Sequence, residues 1–252
     1  MGISPSRQPL FVSALTACGG GGDDPSPVST ERPEGVFGGT LTGGTSTEFQ
    51  MIILENGELW SIYGGSTPTT FGVAGFVQGT IAASGTSFTS ANARDYGFVP
   101  ALAGTATGTF NKAAGTISGS VAAGSQSVSF SGGPIAGSLY NYNAPASIAN
   151  VIGSWTLDSL AGDTISLTVQ VNGNLSATTT SGCTFTGVIT PRASGKNVFD
   201  ITVTFGPAPC ALPNQSASGI GAAYPITGGQ TQLLVALQNA GRTVGTAAFG
   251  VR

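Results

Sequence analysis

Residues 48–63 read Glu-Phe-Gln-Met-Ile-Ile-Leu-Glu-Asn-Gly-Glu-Leu-Trp-Ser-Ile-Tyr. Two strand-like runs flank Asn56-Gly57, the dipeptide best suited to a tight hairpin, so the stretch predicts two antiparallel strands joined by a type I′ turn. The motif occurs twice. Asn172-Gly173 follows at an offset of 172 − 56 = 116, and at that offset Phe49, Met51, Ile53 and Leu59 are matched by Ile165, Leu167, Val169 and Leu175. Upstream, Gly38-Gly39-Thr40-Leu41 faces Ser154-Trp155-Thr156-Leu157; downstream, Gly75 to Ile81 resembles Cys183 to Ile189 at an offset of 183 − 75 = 108. A period of that size is a whole domain, so the chain reads as two copies of one β unit.

The same pattern extends outward from the hairpin. From Val36 on, short Val, Ile, Thr and Phe segments are broken by Gly, Asn and Ser roughly every 8–12 residues, which marks an all-β sandwich or barrel. A second hairpin is expected from Gly108 to Val121, turning at Asn111 to Gly115. Tyr140-Asn141-Tyr142-Asn143-Ala144-Pro145 separates the copies, giving expected β domains over 36–145 and 146–252. Small antiparallel barrels are the first expectation, because Gly at 40 of 252 positions suits bends where strands curl, and sandwiches are the second. Two copies are too few for a solenoid. Trp60 and Trp155 read as rings that fill the barrels.

Composition narrows the chemistry. Lys and Arg total 8 against 11 Asp and Glu, which supplies no basic surface for nucleic acid. The chain has no His, which removes His-based triads and imidazole metal sites. No GxSxG, GxxxxGK[ST] or HExxH is present. Glu55 and Glu58 flank the first turn, but two ligands do not fill a Ca²⁺ shell, and the matching positions of the second copy are Val171 and Asn174. The expectation is a protein without enzymatic activity, metal or cofactor.

The N-terminus carries a different signal. Arg7 is the one charge before Cys18, Leu10 to Ala17 is apolar, and Gly19-Gly20-Gly21-Gly22-Asp23-Asp24-Pro25-Ser26-Pro27 follows as a polar, flexible stretch. Leu15-Thr16-Ala17-Cys18 resembles the lipobox of bacterial lipoproteins. That resemblance implies a signal peptide over 1–17, diacylglyceryl and acyl chains on Cys18, and a disordered tether over 18–35. Gly19, where Asp would favour inner-membrane retention, implies the outer membrane, on either its periplasmic or its cell-surface face. The plan as a whole resembles uncharacterised Gly-rich β-barrel lipoproteins of Gram-negative bacteria. With Cys18 lipidated, Cys183 and Cys210 form an even set and are expected to pair. The longest aliphatic runs, Met51 to Leu54 and Leu233 to Leu237, are far short of a spanning helix.

Arg94-Asp95-Tyr96 is the densest charged spot of the folded region; it reads as a loop, serving either as a local ion pair or as a partner contact. Tyr140 and Tyr142, interleaved with Asn, can stack on a sugar, meet a protein partner or fill the domain junction. The first functional expectation is a membrane-anchored lipoprotein that binds an envelope, glycan or protein partner. The alternative is a carrier of a small apolar ligand in a barrel lumen. The discriminator is whether Phe49, Met51, Ile53 and Trp60 interlock or leave a channel.

Overall fold

The computed structural model describes residues 31–66, 71–135, 138–226 and 228–252. The expected leader over 1–17, Cys18 and the tether as far as residue 30 lie outside these. The chain is all-β. The first unit comprises β1 (Gly35–Thr42), β2 (Glu48–Ile53), β3 (Glu58–Ser66), β4 (Phe71–Thr80), β5 (Ala82–Ser84), β6 (Ser87–Asp95), β7 (Leu102–Asn111), β8 (Thr116–Ala123) and β9 (Gln126–Gly133). The second comprises β10 (Gly153–Ser159), β11 (Thr164–Val169), β12 (Asn174–Thr179), β13 (Thr184–Pro191), β14 (Phe199–Phe205), β15 (Ser216–Pro225), β16 (Thr231–Asn239) and β17 (Gly245–Val251).

Both units are closed antiparallel barrels rather than sandwiches. In the second, β10 to β17 follow one another round the ring, and β10 pairs with β17. In the first, β9 pairs with β1 and β4 pairs with β6. Strand β5 continues β4 past Ile81 and takes the remainder of β6, so the nine strands occupy eight positions. Closure removes the exposed edges that an open sheet would offer to other chains.

The repeat is visible in the hydrogen bonds. Gly57 N–H donates to Leu54 O at 2.9 Å and Leu54 N–H to Glu58 O at 2.8 Å; Gly173, Gln170 and Asn174 repeat these at 2.9 and 2.8 Å. Asn56 and Asn172 each accept from the amide two residues on, at 3.0 Å. Only the glycines have positive φ, 86° at Gly57 and 83° at Gly173, so neither turn is the expected type I′. Each is a three-residue loop in which a type I turn is followed by a left-handed Gly. The offset of 108 also holds: Leu59 pairs with Gly79 as Leu175 pairs with Gly187. The upstream match shifts by two residues, because Trp155 opposite Leu167 corresponds to Phe37 opposite Met51.

Strand alternation sorts apolar from polar. The second lumen holds Leu157, Ile165, Leu167, Ile201 and Leu233, while Thr156, Ser166, Thr168, Ser176 and Thr202 face outward. This is the reverse of a lipid-spanning barrel, whose outer wall is apolar. In the first lumen Phe49, Phe88 and Phe130 pack with ring centroids 5.7 Å (Phe49–Phe130) and 6.5 Å (Phe88–Phe130) apart. Gly108 and Gly119 face each other beneath these rings, where a Cβ would lie 2.6 Å from Phe88 and 2.8 Å from Phe130.

The alternation fails where the barrels meet, and for a reason. A third core neither copy contains alone joins Trp60, Phe76 and Tyr96 of the first unit to Ile220, Ala236 and Ala247 of the second. Trp60 therefore faces outward into the junction, whereas Trp155 faces the second lumen as expected. Strands β2 and β16 lie between a lumen and the junction. Met51 and Ile53 face the first lumen while Ile52, half-buried, packs on the third core; Leu233 and Leu237 face the second lumen while Ala236 enters the junction. The runs Met51 to Leu54 and Leu233 to Leu237 are therefore apolar on both faces.

Candidate functional site

Neither barrel is filled. A cavity of about 370 Å³ occupies the first lumen, with Phe49, Met51, Leu59 and Phe130 on its wall. One of about 400 Å³ occupies the second, lined by Leu157, Leu167, Ile201 and Leu233 among others. Both volumes fall in the range of small-molecule sites, and both walls are mainly apolar.

Each cavity opens at one end. The first reaches the β1–β2 loop at Gly43 to Ser46, the β6–β7 loop at Phe98 and the start of β9 at Gln126. The second reaches Leu160 and Ala161, Ser181 and Cys183, Pro209 to Leu212 and Val244. Its other end is stoppered by the segment entering the barrel: Val151 is fully buried, Ile148 packs on the core, and Trp155 Nε1 donates to Val151 O at 2.8 Å. Arg252 lies 4.0 Å over the Trp155 ring and donates to Asn150 O, which ties the last residue across the stopper.

The β14–β15 loop overhangs the second mouth. Cys210, buried within it, is disulfide-bonded to Cys183 at the foot of β13, and Leu212 turns into the cavity wall. The expected pairing thus staples a loop to the rim of a chamber, which cysteine arithmetic did not indicate.

The β6–β7 loop belongs to both mouths. Phe98 lines the first cavity, while Tyr96, Gly97 and Val99 line the second. Phe98 is 45% exposed and Val99 83% exposed, an apolar pair at a loop tip that sequence reading did not single out, although Phe-Val-Pro after Gly97 was a signal.

Arg94-Asp95-Tyr96 splits three ways. Arg94 and Asp95 end β6 rather than lying in a loop, and adjacent strand residues point to opposite faces, so no ion pair forms between them. Asp95 turns toward the first lumen and Tyr96 is buried in the junction. Phe76 lies between Trp60 and Tyr96, with ring centroids 6.1 and 4.4 Å away, and Tyr96 donates to Gln238 Oε1.

Tyr140 and Tyr142 also sit in the junction. Tyr140 donates to Asn197 O and meets the Tyr224 ring edge-on at 5.9 Å; Lys196 lies 4.9 Å over the Tyr142 ring. Burial raises the hydroxyls of Tyr96, Tyr140 and Tyr142 above their ordinary value, so they act as neutral donors.

Glu55 and Glu58 are engaged locally. Arg192 joins Glu55 at 2.8 Å to Asp200 at 2.6 Å, linking the barrels, while Glu58 accepts from Asn56 and Trp60. Burial alone would raise the Glu55 carboxyl; a backbone hydrogen bond, Arg192 and Ser194 together outweigh it and hold the group below its ordinary value. Among the described residues no three His, Cys, Asp or Glu side chains are grouped as metal ligands would be. Residues 31–35, the described end of the expected disordered tether, are held in place: Gly35 opens β1, Glu34 lies 2.6 Å from Lys196 and Glu31 3.7 Å from Lys112.

Comparison with known proteins adds little. No protein-family model matches the chain, and no curated protein matches it. Among solved structures, it is similar to the isotype 1 transferrin binding protein B of serogroup B Neisseria meningitidis, at 13% identity and a TM-score of 0.26. That match covers 82% of this chain and 52% of the other, so the chain spans about half its length. A DUF3598-family protein of unknown function from Nostoc punctiforme matches at 16% identity and a TM-score of 0.26, over 87% of this chain and 94% of that one. Both TM-scores are too low to bear on function.

Proposed function

We propose that this protein is a non-catalytic, membrane-anchored carrier that holds small apolar or amphipathic molecules in its barrel lumens. The observation that carries this reading is the pair of apolar chambers of about 370 and 400 Å³, each open at one end. Open chambers reverse the order expected from sequence, in which loop-mediated partner binding came first. The lack of His supports the non-catalytic half, since few groups remain that could transfer protons near neutral pH.

An apolar fluorescent dye, N-phenyl-1-naphthylamine, tests the chambers. Ala106 lines the first and Ala217 the second, so a ring added at either position occupies the space a ligand needs. The dye should bind the wild type, each of Ala106→Phe and Ala217→Phe should lose one site, and the double variant should bind about tenfold or more weakly. Unchanged binding in a folded double variant would refute the carrier reading.

The anchor is tested separately. Expressed in a Gram-negative host, the protein should incorporate labelled palmitate, and Cys18→Ala should abolish the label. Persistent labelling would remove Cys18 as the attachment site.

Partner binding is favoured by one observation, the exposed pair Phe98 and Val99. An envelope, glycan or protein partner retained by the wild type and lost from Phe98→Ser/Val99→Ser would support that second reading.

A further inference from the structure

The two chambers differ at their mouths. Asp95 is the only Asp, Glu, Lys or Arg among the residues described on the first wall, and it stands near the mouth beside Tyr63. Its position is built. Tyr63 donates to Asp95 Oδ1 at 2.6 Å, and the Gly97 amide donates to the same oxygen at 2.9 Å. Two glycines make room for this arrangement, since a Cβ on Gly75 or on Gly97 would collide with the Tyr63 hydroxyl. Gly75 faces Tyr63 across β3 and β4, beside the bulge between Tyr63 and Gly64.

Burial, then the hydrogen bond to Asp95 and the charge of that carboxylate, hold the Tyr63 hydroxyl well above its ordinary value, so it stays protonated and donates. Both bonds fall on Oδ1, which leaves Oδ2 without a partner among the described residues. In the second chamber the acid on the wall has both oxygens engaged: Asp163 at the rim accepts from Thr180 Oγ1 and the Ser181 amide on Oδ1 and from the Ser181 hydroxyl on Oδ2, at 3.0–3.1 Å.

A carboxylate with one oxygen open, at the mouth of an apolar chamber, complements a molecule with a hydrocarbon body and a cationic donor head. A carboxylate head would be repelled. We infer that the first lumen selects amphiphiles with an ammonium head, Asp95 accepting from the nitrogen while Phe49, Met51 and Leu59 receive the hydrocarbon. This rests on the carrier reading.

The test is titration calorimetry at neutral pH with decylamine, decanol and decanoate below their micelle concentrations, on the wild type and on Ala217→Phe, which leaves only the first chamber open. Where Ala217→Phe does not fold, the difference between wild type and Ala106→Phe reports the same site. Decylamine should bind the first site about tenfold or more tightly than decanol, and decanoate more weakly than either. In Asp95→Asn the amide oxygen keeps accepting from Tyr63 and Gly97, so decanol should bind as before while decylamine falls to within about threefold of it. Decanol binding without an amine preference, or a preference that survives Asp95→Asn, overturns the inference and leaves the carrier reading standing. If none of the three binds the wild type, the carrier reading fails and takes the inference with it.

Discussion

Replacing Phe76 by alanine should lower stability by about 3–5 kcal/mol, the usual cost of deleting a fully buried ring. Phe76 has no exposed surface and lies between Trp60 and Tyr96 in the core that joins the barrels. Its neighbours cannot close the gap easily. Gly245 already approaches so closely that a Cβ there would lie 2.7 Å from the Phe76 ring, and the flanking strands are fixed by barrel registers. The chain carries its own reporters, since Trp60 is in the junction and Trp155 is inside the second barrel. In urea, tryptophan fluorescence and far-UV circular dichroism of the otherwise unaltered protein should report coincident midpoints, because the shared core couples the two units. Adding Phe76→Ala should lower both midpoints and separate them. A loss below about 1 kcal/mol, or midpoints that stay together, would mean that this cluster does not join the barrels.

The other large effect belongs to the disulfide. Cys183 and Cys210 close a span of 27 residues, for which the chain-entropy relation gives about 3.5 kcal/mol. The Cys183→Ser/Cys210→Ser protein should therefore lose about that much unfolding free energy, read as a lower urea midpoint. Because the bridge holds the β14–β15 loop at the second mouth, the same variant should release dye from that chamber faster than the wild type. Ala217→Phe, which blocks that chamber, provides the control for the release rate. Equal stability and equal release rates in a folded variant would separate the bridge from both roles.

The parts legible in sequence were those set by local rules. Asn56-Gly57 and Asn172-Gly173 announced hairpins because a left-handed position beside an Asn side-chain acceptor is a short-range requirement. The exact turn was misread, since Asn-Gly serves two loop geometries and only the backbone distinguishes them. The runs Met51 to Leu54 and Leu233 to Leu237 were read only as too short for a spanning helix, and their place between a lumen and a barrel–barrel contact becomes clear only once both lumens are in place. Arg94-Asp95 drew attention as a charged pair, yet strand geometry sends the two side chains to opposite faces. Tyr63 gave no signal, because its partner Asp95 is 32 residues away and the two meet only through barrel closure.

Sequence alone therefore determined the all-β class, the duplicated unit and the even pair of folded-region cysteines. Each follows from side-chain period, turn chemistry or counting, which act over a few residues or need no geometry. Tertiary structure decided that Trp60 faces the junction, that Asp95 faces a lumen, and that space remains inside both barrels. Barrel radius is set by strand number and stagger, and the free volume is the small difference between that interior and the side chains filling it, a quantity fixed only when all eight positions of the ring have closed.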